Sequence, residues 1–166
     1  MNLYRLLQKR ADAGRPVRVG LIGAGKFGSM FLSQVPTTRG LEVAAIADLA
    51  PDRARDACRR VGWDEARIAA TRFTDDAMKM MESGDVEVVV EATGHAPAGI
   101  GHARKAIAEG KHIVMVNVEA DVLAGPLLAR DAEAAGVVYS MAYGDQPALI
   151  CEQVDWARSC GFKVIA

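Results

Sequence analysis

Short apolar runs rich in valine and isoleucine recur along the chain, and segments with helical spacing of apolar residues separate them. Such runs are typical of strands buried on both faces of a parallel sheet, with crossover helices between them. The pattern predicts seven strands, at residues 17–22, 41–47, 68–73, 86–91, 112–117, 137–142 and 162–166. It predicts helices at residues 26–35, 51–61, 75–82, 97–109, 126–135 and 146–158.

This alternation predicts the α/β class with a doubly wound parallel sheet, a Rossmann fold, because parallel crossovers are right-handed in nearly all proteins. We expect the strand order 3-2-1-4-5-6, with the seventh strand beyond it. Residues 1–16 are predicted to form an N-terminal helix and its lead-in, with three leucines on the face that packs on the sheet or on a partner. Residues 17–166 form one predicted domain. Its last apolar run reaches the final residue, so we expect further chain beyond it.

Charge and composition narrow the class of protein. The 166 residues carry 20 basic and 21 acidic side chains, a net charge of -1 that does not favour nucleic acid. The apolar run 86–90 is far shorter than the roughly 18 to 20 residues of a membrane span, and residues 1–14 lack the apolar centre of a signal peptide. We therefore expect a cytoplasmic protein. Its three cysteines form no C-x-x-C pair, which predicts reduced, mostly buried thiols.

A glycine-rich motif follows the first strand directly and opens the next helix: Gly23, Gly25, Lys26, Phe27 and Gly28 belong to a G-x-G-x-x-G sequence. In this context the first glycine permits a tight turn, the second lets backbone approach a pyrophosphate, and the third brings helix and strand together. The helix N-terminus then offers N–H groups to the phosphates, and the lysine adds positive charge if it does not simply face solvent. The motif predicts a dinucleotide site.

Two residues near the end of the second strand bear on which dinucleotide is bound. Asp48 follows the motif by 20 residues, the spacing of the acid that binds adenosine ribose hydroxyls and favours NAD. Arg53 lies in the first turn of the next helix, where a guanidinium can meet the 2′-phosphate of NADP. The alternative for Arg53 is a surface ion pair with Asp52 or Asp56.

The ends of the fourth, fifth and sixth strands meet the same edge of the predicted sheet, where open α/β folds bind their ligands. Thr93 and Gly94 are expected beside the nicotinamide ribose, and His95 either donates a proton or caps a helix. The other histidines, 102 and 112, are assigned no chemistry. No spacing of histidines and acids indicates a metal site within the chain.

Three further residues are candidates for catalysis at this edge. Asn117 ends the fifth strand, where its amide can bond the nicotinamide or a substrate carbonyl, so it is also a cofactor-binding candidate. Glu119 is two residues further along, and Asp145 follows the sixth strand. The alternative role for Glu119, for its neighbour Asp121 and for Asp145 is to cap a helix.

With these motifs in place, the chain resembles the NAD(P)-binding domain of homoserine-dehydrogenase-like oxidoreductases along essentially its whole length. The segments 20–28, 117–125 and 143–148 look like the 1-deoxy-D-xylulose 5-phosphate reductoisomerase-like group, whose members carry a SAF-type domain further along. That resemblance implies NADPH-dependent conversion of 1-deoxy-D-xylulose 5-phosphate to 2-C-methyl-D-erythritol 4-phosphate for isoprenoid synthesis, with NADH also accepted. It implies a substrate domain outside residues 17–166, with a divalent metal in it, and a homo-oligomer acting on a small phosphorylated or hydroxylated molecule.

The chain departs from homoserine dehydrogenases and ordinary reductoisomerases at one position. Those proteins place a lysine after the asparagine of the fifth strand end, and here the residue is Val118. The lysine-dependent step therefore cannot be carried over to this loop. Two alternatives to the reductoisomerase activity stay open: a homoserine-dehydrogenase-type oxidoreductase, and a regulatory module that binds a dinucleotide without hydride transfer.

Overall fold

The computed structural model describes residues 2–143 and 146–165, with backbone alone for residues 146–148. This part of the chain forms one parallel sheet of six strands in the order 3-2-1-4-5-6, as predicted. The strands are β1 (Val17–Ile22), β2 (Leu41–Ala47), β3 (Arg72–Thr74), β4 (Val88–Glu91), β5 (His112–Met115) and β6 (Tyr139–Met141).

Helices connect the strands and cover both faces of the sheet. They are α1 (Leu3–Asp12), α2 (Lys26–Gln34), α3 (Pro51–Arg60), α4 (Glu65–Ala70), α5 (Ala77–Met81), α6 (Ala96–Ala108), α7 (Val118–Ala134) and α8 (Gln146–Ser159), with a 3-10 turn at Val35–Thr37. No helix in these described stretches is long and apolar enough to cross a membrane.

The core has two layers because successive strand residues point to opposite faces of the sheet. On β1, Leu21 packs in the layer that contains Leu32 and Trp63, whereas Ile22 packs in the layer that contains Met80 and Met81. All of these side chains are buried. Most residues of β1 and β2 are therefore apolar, which is why the bounds of these two strands could be predicted from the sequence, whereas β4 begins two residues later and β5 ends two residues earlier than predicted.

The prediction of a seventh strand is wrong for residues 162–165, the part of that run that the structure describes. After α8 the chain makes a turn, and residues 162–165 form no strand. Phe162 is 62% exposed and Ile165 is 87% exposed, so this apolar run has no sheet against it. The edge strand on this side of the described sheet is β6.

Two helices differ from the sequence prediction. Ile68 lies in α4, where a strand was expected, because Asp64 caps the helix by accepting a hydrogen bond from the N–H of Arg67 at 2.7 Å. Helix α7 begins eight residues before Pro126, which lies inside it rather than in its first turn. The proline side chain is exposed, so water can bond the carbonyl group that the missing N–H leaves open.

The cysteines also differ in part from expectation. All three are free, but only Cys58 is buried, while Cys151 and Cys160 are exposed. Burial raises the pKa of the Cys58 thiol to about 11, so this thiol stays protonated and inert at neutral pH.

Helix α1 lies across the edge of the sheet at which β1 and β2 begin, and none of its residues is buried. Leu3 and Leu6 are 67% and 47% exposed, so the predicted apolar face is only partly covered. Polar contacts hold the helix instead. Arg10 forms two hydrogen bonds of 2.8 Å to Glu87, and Arg39 pairs with Asp12 at 2.6 Å.

Candidate dinucleotide site

The glycine-rich turn connects β1 to α2 at the edge of the sheet where the parallel strands end. Gly23 has a φ of +92°, and a Cβ on it would lie 2.9 Å from the carbonyl oxygen of Ala92. A Cβ on Gly28 would overlap the carbonyl oxygen of Gly23, so only glycine allows α2 to pack this closely on the turn. A Cβ on Gly25 would meet no protein atom within 4 Å. The space in front of Gly25 is therefore open to a ligand.

The N-terminus of α2 has no side-chain cap. Its N-cap residue is Gly25, whereas α1, α4, α5, α6 and α7 are capped by Asn2, Asp64, Asp76, His95 and Asn117. The first-turn N–H groups of a helix need acceptors from outside the helix. Here Lys26 and Phe27 are exposed, and their N–H groups have no acceptor among the described residues. An anion bound there would satisfy them.

Asp48 follows the end of β2, the strand next to β1, and its carboxylate bonds two loops. Its Oδ2 accepts the N–H of Ala24 at 2.9 Å, and its Oδ1 accepts the N–H of Ala50 at 2.9 Å. The carboxylate is thus held between the glycine-rich turn and the start of α3. Each oxygen keeps a second lone pair, so Asp48 can still accept hydrogen bonds from two ribose hydroxyls.

Arg53 is exposed on the first turn of α3, as predicted. The alternative ion pairs do not form: Asp52 pairs with Arg55 at 2.9 Å and Asp56 pairs with Arg59 at 3.0 Å. Among the described residues, no acid pairs with the Arg53 guanidinium. The Arg53 guanidinium, five residues after Asp48, is therefore not engaged by an acidic side chain of the described residues that would compete with a bound phosphate.

A buried carboxylate at the end of β4 was not among the candidate site residues. Glu91 is 0% exposed. Its Oε1 accepts hydrogen bonds from the Thr93 hydroxyl at 2.6 Å and from the Thr93 N–H at 3.4 Å, and it lies 3.1 Å from His102 Nδ1. The signal in the sequence was an acid that ends a run of buried valines. The partner His102, eleven residues later on α6, carried no signal of its own.

The turn after β4 holds Thr93 and Gly94 at the same edge, next to the glycine-rich turn. Gly94 has a φ of +69° and is exposed, and its N–H has no acceptor among the described residues. His95 is the N-cap of α6, and its Nδ1 accepts the N–H of Ala98 at 3.2 Å. The capping role is thus the one that the structure gives to His95.

Asn117 ends the segment after β5 and is 1% exposed. Its Oδ1 accepts the N–H of Ala120 at 3.1 Å as the N-cap of α7, and its Nδ2 donates to the Thr93 hydroxyl at 3.3 Å. The asparagine therefore joins the turn after β4 to α7. Its predicted contact with a nicotinamide stays a prediction.

The acids after Asn117 lie in the first turn of α7, and Glu119 is exposed there. Asp121 instead accepts a hydrogen bond of 2.7 Å from the Tyr139 hydroxyl on β6. Burial, together with this carboxylate, raises the pKa of Tyr139 above its ordinary value. Asp145 lies outside the described residues. Within the described chain, no group of three or more histidine, cysteine or acidic side chains could hold a metal ion.

A groove of about 740 Å³ lies at the opposite edge of the sheet. Its lining includes Arg18 and Leu41 at the beginnings of β1 and β2, together with Trp63 and Thr71. None of the candidate cofactor residues lines it. The candidate site is assigned instead to the edge that holds the glycine-rich turn, because ligands of open α/β sheets bind at the carboxyl ends of the strands.

Comparison with known proteins agrees with this geometry. Residues 23–141 match the family model described as "Homoserine dehydrogenase, NAD binding domain". Inositol 2-dehydrogenase of Acidothermus cellulolyticus is 34% identical over 127 residues, which cover 73% of this chain and 33% of that protein. Homoserine dehydrogenase of Neisseria gonorrhoeae is 29% identical over 112 residues, which cover 62% and 23%. The chain thus spans a third or less of the length of these relatives.

Solved structures agree on the fold. The homoserine dehydrogenase of Thiobacillus denitrificans matches with a TM-score of 0.63 and 24% identity, over 76% of this chain and 29% of that one. The myo-inositol dehydrogenase of Lactobacillus casei, solved with NAD(H) and myo-inositol, matches with a TM-score of 0.64 and 19% identity, over 86% and 42%. These matches do not show the narrower likeness to the reductoisomerase-like group. Because the family model covers most of the chain, including the glycine-rich turn and the ends of β2, β4 and β5, the chain belongs to the homoserine dehydrogenase NAD-binding domain family.

Proposed function

We propose that this chain is the part of an oxidoreductase that binds NAD(P), in an enzyme that moves hydride from a carbon bearing a hydroxyl group to the cofactor, or in reverse from the cofactor to a carbonyl carbon. The observation that carries the proposal is the open space at Gly25, bordered by the uncapped N-terminus of α2 and by Asp48. When bound, the nicotinamide supplies the hydride chemistry. The residues of this chain bind and orient it.

The three parts of the proposed site match the three parts of a dinucleotide. The N–H groups of α2 suit the pyrophosphate, and the carboxylate of Asp48 suits the adenosine ribose. The nicotinamide half then extends across the ends of β1 and β4 toward Gly94, whose N–H lacks a partner in the described structure.

The contacts of Asp48 support NAD(H) over NADPH as the preferred cofactor. Two backbone N–H groups hold the carboxylate in place, so it cannot turn away from a 2′-phosphate. Like charges at about 5 Å repel by on the order of a few kcal/mol in a surface environment before screening by salt. The resemblance to the reductoisomerase-like group favours NADPH, and Arg53 is the described residue best placed to offset the repulsion.

The proposed substrate is a small hydroxylated molecule, as the names of the two relatives suggest. Reductive isomerisation of 1-deoxy-D-xylulose 5-phosphate is the second candidate, supported by the resemblance of segment 117–125 to the reductoisomerase-like group, with Val118 in place of the lysine. Assay of the full-length protein with inositol, homoserine and the phosphorylated ketose separates these candidates. Cytoplasmic location, a homo-oligomer and a metal in a further domain stay predictions alongside them.

Glu119 and Asp145 are the proposed proton-transfer residues of the complete enzyme. Glu119 is exposed at the start of α7, near the edge where the cofactor is proposed to bind. Replacement of each acid by its amide in the full-length protein is expected to lower kcat at least tenfold without weakening NADH binding. Unchanged kcat would assign both acids to helix capping.

Direct binding tests the proposal as a whole. We expect titration of the 166-residue protein with NADH to enhance the fluorescence of the reduced nicotinamide and to saturate at micromolar to low-millimolar concentration. ADP is expected to compete, because it would occupy the pyrophosphate and ribose parts of the site. Absence of NADH binding to correctly folded protein up to millimolar concentration would refute the proposal.

A further inference from the structure

Glu91 is a buried carboxylate whose hydrogen bonds are unevenly shared between its two oxygens. It lies at the end of β4 between Ile22 of β1 and Met115 of β5, with which it is in register. Its Oε1 is close to the Thr93 N–H, the Thr93 hydroxyl and His102 Nδ1, whereas Oε2 is buried without a hydrogen-bond partner among the described residues. Burial of an incompletely satisfied carboxylate is costly. The contacts made by Oε1 therefore have to offset this cost.

The shortest of those contacts is with the hydroxyl of Thr93. It donates to Glu91 at 2.6 Å and accepts from Asn117 Nδ2 and from the N–H of His95, each at 3.3 Å. A hydroxyl has one donor and two acceptor lone pairs, so these bonds use its full capacity. The Thr93 side chain is thus not left free to bond a ligand. It joins the turn after β4 to α6 on one side and to α7 on the other.

Close packing keeps these parts in one arrangement. A Cβ on Gly99 of α6 would lie 2.6 Å from Asn117 Nδ2, so the helix backbone rests directly against the asparagine. His102, one turn further along α6, brings its Nδ1 to Glu91 with only 12% of its side chain exposed. The turn 92–95 is therefore held to β4 by the bond between Thr93 and the Glu91 carboxylate, and to α6 and α7 by the bonds that the Thr93 hydroxyl accepts from His95 and Asn117.

We propose that Glu91 is a positioning residue, which acts through Thr93 to hold the turn 92–95 so that the Gly94 N–H faces the nicotinamide half of the cofactor. The inference rests on the proposed function and extends it to a residue that does not itself reach the cofactor. The adenosine half has its own anchors at Gly25 and Asp48, which share no hydrogen bond with Glu91. Loss of the Glu91 contact should therefore affect the two halves of the cofactor differently.

The test compares NADH with ADP, a probe that lacks the nicotinamide half. Glu91→Leu is expected to weaken NADH binding about tenfold and to leave ADP binding within about twofold of wild type. Glu91→Gln keeps an oxygen that can accept the Thr93 hydroxyl and is expected to recover most of the NADH affinity. If Glu91→Leu does not fold, Thr93→Val removes the same hydrogen bond at an exposed position, with Thr93→Ser as its matched control.

The possible outcomes test the positioning role of Glu91 separately from the proposed binding of NAD(P). Weaker NADH binding with unchanged ADP binding, and recovery in the glutamine or serine variant, would support the positioning role. Equal weakening of both probes would assign Glu91 to folding alone, and no change in either would leave it without a role in binding; both results overturn the inference. Failure of wild-type protein to bind both NADH and ADP would overturn the proposed function, and the inference with it.

Discussion

At the scale of single residues, a substitution at Gly25 is expected to impair cofactor binding without impairing folding. A side chain there meets no protein atom, yet it would fill the space in which the pyrophosphate is proposed to lie. We expect Gly25→Val to weaken NADH binding by at least about tenfold, or about 1.4 kcal/mol, as measured by titration. Gly84→Val is the matched control, because a Cβ on Gly84 also meets no atom and that turn lies away from the site. Wild-type affinity in a folded Gly25→Val variant would argue against the phosphate site.

Arg53 is the residue proposed to accommodate the 2′-phosphate of NADPH. We expect Arg53→Ala to weaken NADPH binding by roughly 1 to 3 kcal/mol and to leave NADH binding nearly unchanged, because only NADPH carries the 2′-phosphate. Arg60→Ala, at the far end of the same helix, is the control and should change neither. Equal losses for both cofactors would place Arg53 at the pyrophosphate or in the fold. A wild-type preference for NADPH would contradict the argument from Asp48.

The residues of the site were predictable where local sequence determines them. The glycine-rich turn and Asp48 have fixed spacings within one strand–helix–strand unit, so the sequence alone placed them at one edge of the sheet. The proposed role of Glu91 depends on His102, eleven residues further along on α6, and on the Thr93 hydroxyl, which also bonds Asn117. No spacing predicts such a network, because its partners come from three elements that only the fold brings together.

At the scale of elements, the contact between α2 and the end of β1 depends on Gly28. A Cβ there would overlap the Gly23 carbonyl oxygen, so Gly28→Ala must move the helix. We expect the free energy of unfolding to fall by roughly 1 to 3 kcal/mol in urea denaturation. Gly25→Ala, three residues earlier in open space, should cost less than about 1 kcal/mol. Similar losses in the two variants would show that close packing does not explain the requirement for glycine at position 28, since helix propensity by itself favours alanine there.

The hydrogen bond between Tyr139 and Asp121 ties β6 to α7 and gives a dependence on pH. Burial and the Asp121 carboxylate raise the pKa of Tyr139, so the folded state keeps this proton above pH 10, where the unfolded chain releases it. Stability from this group is thus complete below about pH 10 and declines as the pH rises further. We expect Tyr139→Phe to cost about 1 kcal/mol at neutral pH, with the difference from wild type narrowing at about pH 10 to 11.

Urea denaturation of wild type and Tyr139→Phe at several pH values measures this difference. Tyr4→Phe is the control, since Tyr4 is 71% exposed on α1 and should not alter stability at any pH. A difference between wild type and Tyr139→Phe that stays constant up to about pH 11 would show that the hydroxyl titrates alike in both states.

The strands and helices were predictable to different extents for physical reasons. β1 and β2 match their apolar runs at both ends, because strands in the middle of a parallel sheet are buried on both faces. Residues 162–166 are just as apolar, but an apolar run cannot show whether a strand edge is available to pair with it. Proline is favoured in the first turn of a helix, so Pro126 led to the prediction that a helix begins there. The N-cap at Asn117 instead determines where α7 begins.

At the scale of the whole molecule, this chain spans only 33% and 23% of the two relatives' lengths. We expect the 166-residue protein to bind NADH but to show no substrate-dependent oxidation or reduction of it, since Rossmann enzymes build the substrate site across the crevice with a second domain. Spectrophotometric assay at 340 nm with the candidate substrates checks this. Turnover by the 166-residue protein would show that its own residues complete the active site.

Because exposed ion pairs help to hold α1, the attachment of this helix to the rest of the domain should weaken as the salt concentration rises. No residue of α1 is buried, and its contacts to the sheet include the charged pairs of Arg10 with Glu87 and of Asp12 with Arg39. Exposed ion pairs weaken as ionic strength rises, whereas the buried layers around Leu21 and Ile22 do not depend on charge. The amide hydrogens of α1 should therefore exchange with solvent long before those of β1, and faster still in molar salt.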